Sequence, residues 1–207
     1  HDALPIWTYV AATDPVVTMQ ADVHLYGGFA GEETERIARD WATHVTTIDG
    51  EDARRCVLGA DSATLDGFVV TRGFAATLTY TPGGGMYNDG VSPTLANCTF
   101  SENSTEVSGG SGGGMANFNS AAPTIVNCAF ANNEADYGGG MCNSYSASPV
   151  LADCIFTENT ARYAGGSSGG GGMSNHDHSN AVLTRCAFAY NTPSYGAGMA
   201  IYDDSDV

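Results

Sequence analysis

Lysine is absent from this chain, and its seven basic residues are all arginine, at positions 36, 39, 54, 55, 72, 162 and 185. Set against 23 acidic residues, they leave a net charge of −16. A surface this acidic repels phosphate backbones, which excludes nucleic acid as a partner. Long apolar runs are missing too, and none reaches membrane-spanning length. Helical periodicity is nearly missing. Its one instance is GEETERIARDW, residues 31–41, where Glu32/Arg36 and Glu35/Arg39 are spaced as i,i+4 pairs. Ile37 and Trp41 add a small apolar stripe there, so a short lateral helix is expected near residues 31–41. Histidine is scarce, and only NHDHSN (175–180) brings two together.

Glycine is what the chain has in excess. Its 27 glycines gather in GG and GGG runs, which mark tight bends or close backbone approach. A Met follows the runs at Met86, Met115, Met141, Met173 and Met199. A Cys follows at Cys98, Cys128, Cys154 and Cys186. From Met to Cys the steps are 12, 13, 13 and 13 residues, whereas from Cys to the next Met they are 17, 13, 19 and 13. The first arm is held in register and the second behaves as a surface loop. The fixed arm also carries Phe100, Phe130, Phe156 and Phe188 two places after Cys. Asn103, Asn133, Asn159 and Asn191 follow at five places after Cys.

Cys and Phe two apart share one face of a strand. Three short strands per repeat, around GGGM, PTLA and CTF, joined by Gly, Asn, Ser and Pro bends, are the economical reading. A unit of this size cannot bury its apolar side alone, but stacked copies can. Strands of successive coils then pair in parallel about 4.8 Å apart, and like side chains form internal files. The expected fold is all-β, a right-handed single-stranded parallel β-helix of about 6–8 coils. Leucine-rich repeats would need a leucine ladder at another spacing, and calcium-binding nonapeptide coils would need GGxGxD every nine residues. Asn97 and Asn127, just before Cys, suit a left-handed bend, while Asp153 and Arg185 depart from Asn there.

The expected domain is one β-helix over 7–207, with irregular coils over 7–82 and regular repeats over 83–207. In the irregular part TLDGFVVTRG aligns Leu65 with Leu95, Phe68 with Cys98 and Val70 with Phe100. Residues 1–6, HDALPI, have no pattern relation to the rest and match what a sequencing adapter would encode, so they are taken as a non-native scar. The pattern also stops midway at IYDDSDV, and truncation at both ends is expected.

The Gly runs before Met and the tetrads FSEN, FANN, FTEN and FAYN resemble the repeats of chlamydial polymorphic outer-membrane proteins. They also resemble right-handed β-helix repeat proteins of the pectin-lyase-like superfamily, from residue 7 to the end. The resemblance implies a secreted or outer-surface bacterial protein. That superfamily includes adhesins and surface proteins as well as polysaccharide lyases and glycoside hydrolases, so the fold does not choose among them.

Among candidate sites, the four aligned cysteines read as small buried thiols filling a corner, with disulfides between neighbours as the alternative. No His occupies a matching column, and Cys142 lies outside the file, directed outward. His176, Asp177 and His178 are the weak metal candidates; calcium is conceivable from clustered acids, and no other cofactor is expected. Asp203 and Asp204 could supply half of a catalytic set, but as neighbours on a strand they would face opposite ways. The variable loops at 104–111 and 160–169, with Tyr137, Tyr163 and Tyr195 nearby, form the expected ligand-binding side. The expected function is a non-catalytic surface module for adhesion, display or binding of a glycan or a host or neighbour-cell protein. End-to-end self-association through sheet edges is a further expectation, and a polysaccharide lyase or glycosidase is the alternative.

Overall fold

The computed structural model describes residues 8–9, 15–75, 82–105, 109–162, 169–193 and 196–207. Short strands wind into a parallel β-helix whose coils hydrogen-bond rung to rung. Each complete turn has four walls. The first carries Met86–Asp89, Met115–Phe118, Met141–Asn143, Met173–Asn175 and Met199–Ile201. The second carries Thr64–Asp66, Thr94–Ala96, Thr124–Val126, Val150–Ala152 and Val182–Thr184. The third carries Phe68–Thr71, Thr99–Ser101, Ala129–Ala131, Ile155–Thr157 and Ala187–Ala189. A fourth wall of two-residue strands, Phe74–Ala75, Ser104–Thr105, Glu134–Ala135 and Thr160–Ala161, was not expected from the sequence. Among the described residues four successive turns carry all four walls and partial turns flank them, against the 6–8 coils expected.

Register places like on like. Met86, Met115, Met141, Met173 and Met199 pair in order along the first wall. Leu65, Leu95, Ile125, Leu151 and Leu183 do so along the second. Val70 leads the file of Phe100, Phe130, Phe156 and Phe188 along the third. Successive rings in that file lie 5.0, 4.6 and 4.7 Å apart and within 7° of parallel. Isolated aromatic pairs prefer an offset or edge-on approach. Here the strand spacing imposes the stack.

Two internal amide ladders run beside these apolar files. Asn103, Asn133 and Asn159 each donate from Nδ2 to Oδ1 of the next Asn, at 3.0, 2.9 and 2.9 Å, the last reaching Asn191. The same Oδ1 atoms accept the preceding Asn's backbone N–H, at 3.1, 3.1 and 3.0 Å. Each Nδ2 also reaches a carbonyl of the previous coil, as Asn133 does to Phe100 at 2.9 Å. A second ladder links Asn88, Asn117, Asn143 and Asn175 at 2.7–2.8 Å. Such pairing offsets the cost of burying amides, and only Asn88 Oδ1, at the start of the second ladder, is left without a partner among the described ladder atoms.

The Gly runs answer to close approach. A Cβ on Gly114 would lie 2.6 Å from the Gly140 carbonyl oxygen of the next coil. Gly112 has φ +65°, and a Cβ there would sit 2.0 Å from the Met115 carbonyl oxygen. Neither position tolerates a side chain.

The helix expected over 31–41 does not form. Only a single 3₁₀ turn, Arg36–Ala38, is present, and Ile37 is 89% exposed. Tertiary partners take both arginines away from their i,i+4 acids. Arg36 lies over the Tyr26 ring at 4.4 Å, and Arg39 donates to the carbonyl oxygens of Gly27 and Asp66 and pairs with the Asp66 carboxylate. Glu33 instead accepts backbone N–H groups from Ala30 and Gly31 at 2.6 and 2.9 Å. Among the described residues no helix is long and apolar enough to cross a membrane.

The bend before each Cys keeps its backbone while its chemistry varies. Asn97, Asn127, Asp153 and Arg185 all have φ between +52° and +55°.

Candidate functional site

A groove of about 340 Å³ on the described surface is built from distant parts of the chain. The segment after the 3₁₀ turn forms one wall with Trp41, Ala42 and Val45; the bend residues Asn97, Asn127 and Asp153 line the other side. Outward residues of the third wall, among them Val69, Thr99, Ala129 and Ile155, make the floor.

Trp41 is 40% exposed. Its ring is held by the Arg39 guanidinium at 5.1 Å, and Arg39 is anchored in turn to Asp66. Asp66 starts a polar column along the bends. Its Oδ1 accepts from Asn97 Nδ2 at 2.8 Å, and Asn97 Oδ1 accepts from Asn127 Nδ2 at 2.7 Å. Further along, Arg185 donates to both oxygens of Asp153, each at 2.6 Å. That bidentate contact holds the Asp153 carboxyl below its ordinary range. The result is an indole platform facing a row of amides and a carboxylate, pitched one rung apart.

The expected binding side fares differently. Tyr163 and Tyr195 lie outside the described residues, as does much of the loops at 104–111 and 160–169. Tyr137 is half-buried rather than displayed, packed with Tyr87 on Ala116, Phe118 and Cys142 over the outer face of the first wall. Cys142 does point outward, but that layer buries it to 2% exposure.

The NHDHSN stretch turns sharply, with φ +51° at Asp177 and +63° at His178. His176 is drawn inward between aromatic rings, edge-on to Tyr137 at 5.9 Å and stacked on Tyr202 at 5.3 Å. Its Nε2 is buried without a hydrogen-bond partner. Asp177 pairs with the Ser144 hydroxyl, whereas His178 stays exposed, 4.0 Å from Asp204. Thus the three candidates diverge. Among the described residues no group of three or more His, Cys, Asp or Glu is placed to hold a metal ion. Asp203 and Asp204 lie on the matching turn of the next coil, at φ +54° and +55°, and not on a strand.

Burial pushes the His176 imidazole below its ordinary value, against Asp177 and Asp203, which pull it upward. The folded chain therefore binds this proton less readily than the unfolded chain. Stability is untouched above the unfolded value, about 6.5. It is lost as pH falls from there through the lowered folded value. Thermal melts of wild type and His176→Gln between about pH 7.5 and 5 check this. The wild type should lose more stability than the variant on acidification, and equal losses would refute it.

The four aligned thiols keep to the interior. Cys98, Cys128 and Cys154 are at most 2% exposed, Cys186 is partly exposed, and all six cysteines are free. Cys56, outside the file, is fully buried in the core.

The groove escaped sequence reasoning because its walls come from segments far apart in the chain. The one local hint was an aromatic beside a poorly satisfied helix pattern. No curated protein and no solved structure matches the chain. The family described as a right handed beta helix region matches residues 56–207. With that match over most of the sequence and the coiled parallel walls of the structure, the chain belongs to the right-handed β-helix family.

Proposed function

We propose that this chain is a non-catalytic extracellular or cell-surface module that binds a partner along its outer wall, serving adhesion or display. The observation carrying this reading is the groove, where the half-exposed Trp41 faces Asn97, Asn127 and Asp153. An aromatic platform opposite polar groups repeated at rung pitch suits an extended glycan or polypeptide strand. The rigid coils hold those groups in place before binding, which lowers the ordering cost of each contact. The acids nearest the groove, Asp66 and Asp153, are already paired with Arg39 and Arg185, which suits a binding role better than proton transfer. The strong negative charge favours neutral or basic partners over polyanions.

The test is a glycan array and a cell-surface binding assay on wild type and Trp41→Ala, with thermal melts alongside. Because Trp41 is 40% exposed and outside the buried core, the variant should still fold, as the melts check, yet lose binding at least tenfold, about 1.4 kcal/mol. Unchanged binding would remove the groove from the reading. Release of unsaturated or reducing sugars from an acidic polysaccharide, with or without calcium, would replace it with the lyase or hydrolase alternative.

A further inference from the structure

The column of bend residues along the groove lacks a donor at one rung. Asn97 turns its Nδ2 back to Asp66, at 2.8 Å, and offers its Oδ1 forward to Asn127, at 2.7 Å. Asn127 shares the φ of +52° found at Asn97, and its Nδ2 is likewise turned back. Its Oδ1 is therefore offered to the next rung. There Val126 pairs with Ala152, which sets Asp153 beside Asn127 at the rung spacing, about 4.8 Å. An ionised Asp has acceptors only, so the column stops at an oxygen facing an oxygen. Among the described residues Asn127 Oδ1 has no hydrogen-bond partner.

Asp153 takes Arg185 from the rung beyond, and each carboxylate oxygen keeps a second lone pair. Both side chains of that ion pair are well exposed, 43% for Asp153 and 67% for Arg185, so solvent weakens their hold on each other. Acceptors on both sides of a gap call for a donor, and a chain of net charge −16 favours a cationic one. The rest of the groove suits the body of a long cationic side chain. Trp41 and Val45 stand opposite the bends, and Ile155 on the floor is 51% exposed. Lys and Arg stems pack on apolar surface of this kind while their heads reach polar atoms. The floor strands are already bonded on both edges, as Ala129–Ala131 is to Thr99–Ser101 and to Ile155–Thr157. A partner cannot join this sheet through its backbone there, and recognition falls to side chains.

We infer that the groove seats a basic polypeptide segment, with a Lys or Arg side chain donating to Asn127 Oδ1 and the Asp153 carboxylate and its stem lying on Trp41 and Ile155. This seat deepens the binding role proposed for the groove and depends on it.

The probe is hexalysine, titrated calorimetrically into the whole chain at about 0.15 M salt, where exposed charges beyond about 8 Å are largely screened. Asp153→Asn is the variant that separates the seat from general charge. Asn already occupies this bend at Asn97 and Asn127, and an Asn amide at position 153 can close the gap by donating to Asn127 Oδ1. The variant should keep the wild-type melting temperature and bind hexalysine about tenfold more weakly. Asp204→Asn makes the same change of charge on an exposed turn that does not line the groove, and should bind as wild type does. Hexalysine with every side chain acetylated should not bind. Failure of hexalysine to bind wild type, equal weakening by the two variants, or equal affinity for the acetylated peptide overturns the inference. Trp41→Ala distinguishes the two levels of failure. Should it weaken binding while Asp153→Asn does not, the groove stands and the cationic seat falls; should neither weaken it, the groove falls as well. A neutral glycan held equally by wild type and Asp153→Asn, in place of hexalysine, also keeps the groove and overturns the seat.

Discussion

Replacing Asn133 by Ala should destabilise the protein by about 3–5 kcal/mol, from the cost of about 1–3 kcal/mol for each buried polar group left unpaired. Asn133 is fully buried, and its amide serves two neighbouring coils at once. Its Oδ1 accepts from the backbone N–H and the Nδ2 of Asn103, at 3.1 and 3.0 Å. Its Nδ2 donates to the Phe100 carbonyl and to Asn159 Oδ1, both at 2.9 Å. Truncation strands the Asn103 N–H where water cannot reach it, removes the side-chain donor to the Phe100 carbonyl, and cuts the amide chain in the middle. Asn133→Asp should fare little better, because a carboxylate can accept from Asn103 but cannot donate to Phe100 or Asn159. Urea unfolding followed by circular dichroism measures the loss. A midpoint within error of wild type would mean that the ladder is ornament rather than support.

The files themselves were legible in the sequence, because a parallel coil makes each repeat the template of the next. Met86 to Met199, Cys98 to Cys186, Phe100 to Phe188 and Asn103 to Asn191 are in phase on the page as they are in space. Leu65 over Leu95 and Val70 over Phe100 could be aligned even in the irregular coils, and the registers agree. The fourth wall was not legible. Two-residue strands such as Ser104–Thr105 and Glu134–Ala135 are too short to show a period of two, and neighbouring rungs alone define them.

The segment over 31–41 shows the opposite failure. Its charge spacing is genuinely helical, but the guanidiniums of Arg36 and Arg39 gain more from Tyr26 and Asp66 than from Glu32 and Glu35. A local rule was overruled by partners from other coils. The same long-range packing brings Trp41 opposite Asn97 and Asn127, so the groove could not be read from any window of sequence. NHDHSN was legible as a turn, but the direction of each side chain was not. His176 goes to the aromatic rings and His178 to solvent because the left-handed turn at Asp177 and His178 lies between them and swings the chain round.

Phe130→Ala should cost about 3–5 kcal/mol, the usual range for removing a buried phenyl group. Its ring is fully buried between Phe100 at 5.0 Å and Phe156 at 4.6 Å. The rungs above and below are tied by backbone hydrogen bonds, so they cannot collapse into the gap as two loosely packed helices might. A cavity that cannot relax carries the upper part of the cost. Phe188→Ala is the control. It occupies the same file but is only half-buried, packed at the edge of the core, and should cost about half as much. In a stacked array each coil is stabilised chiefly by its two neighbours, so loss at Phe130 also uncouples the coils on either side. Hydrogen exchange should then show faster opening at Phe100 and Phe156 than at Ile48, three rungs from Phe130. Uniform acceleration along the chain would instead mean that the β-helix unfolds as one cooperative block, and that the files transmit the defect from end to end.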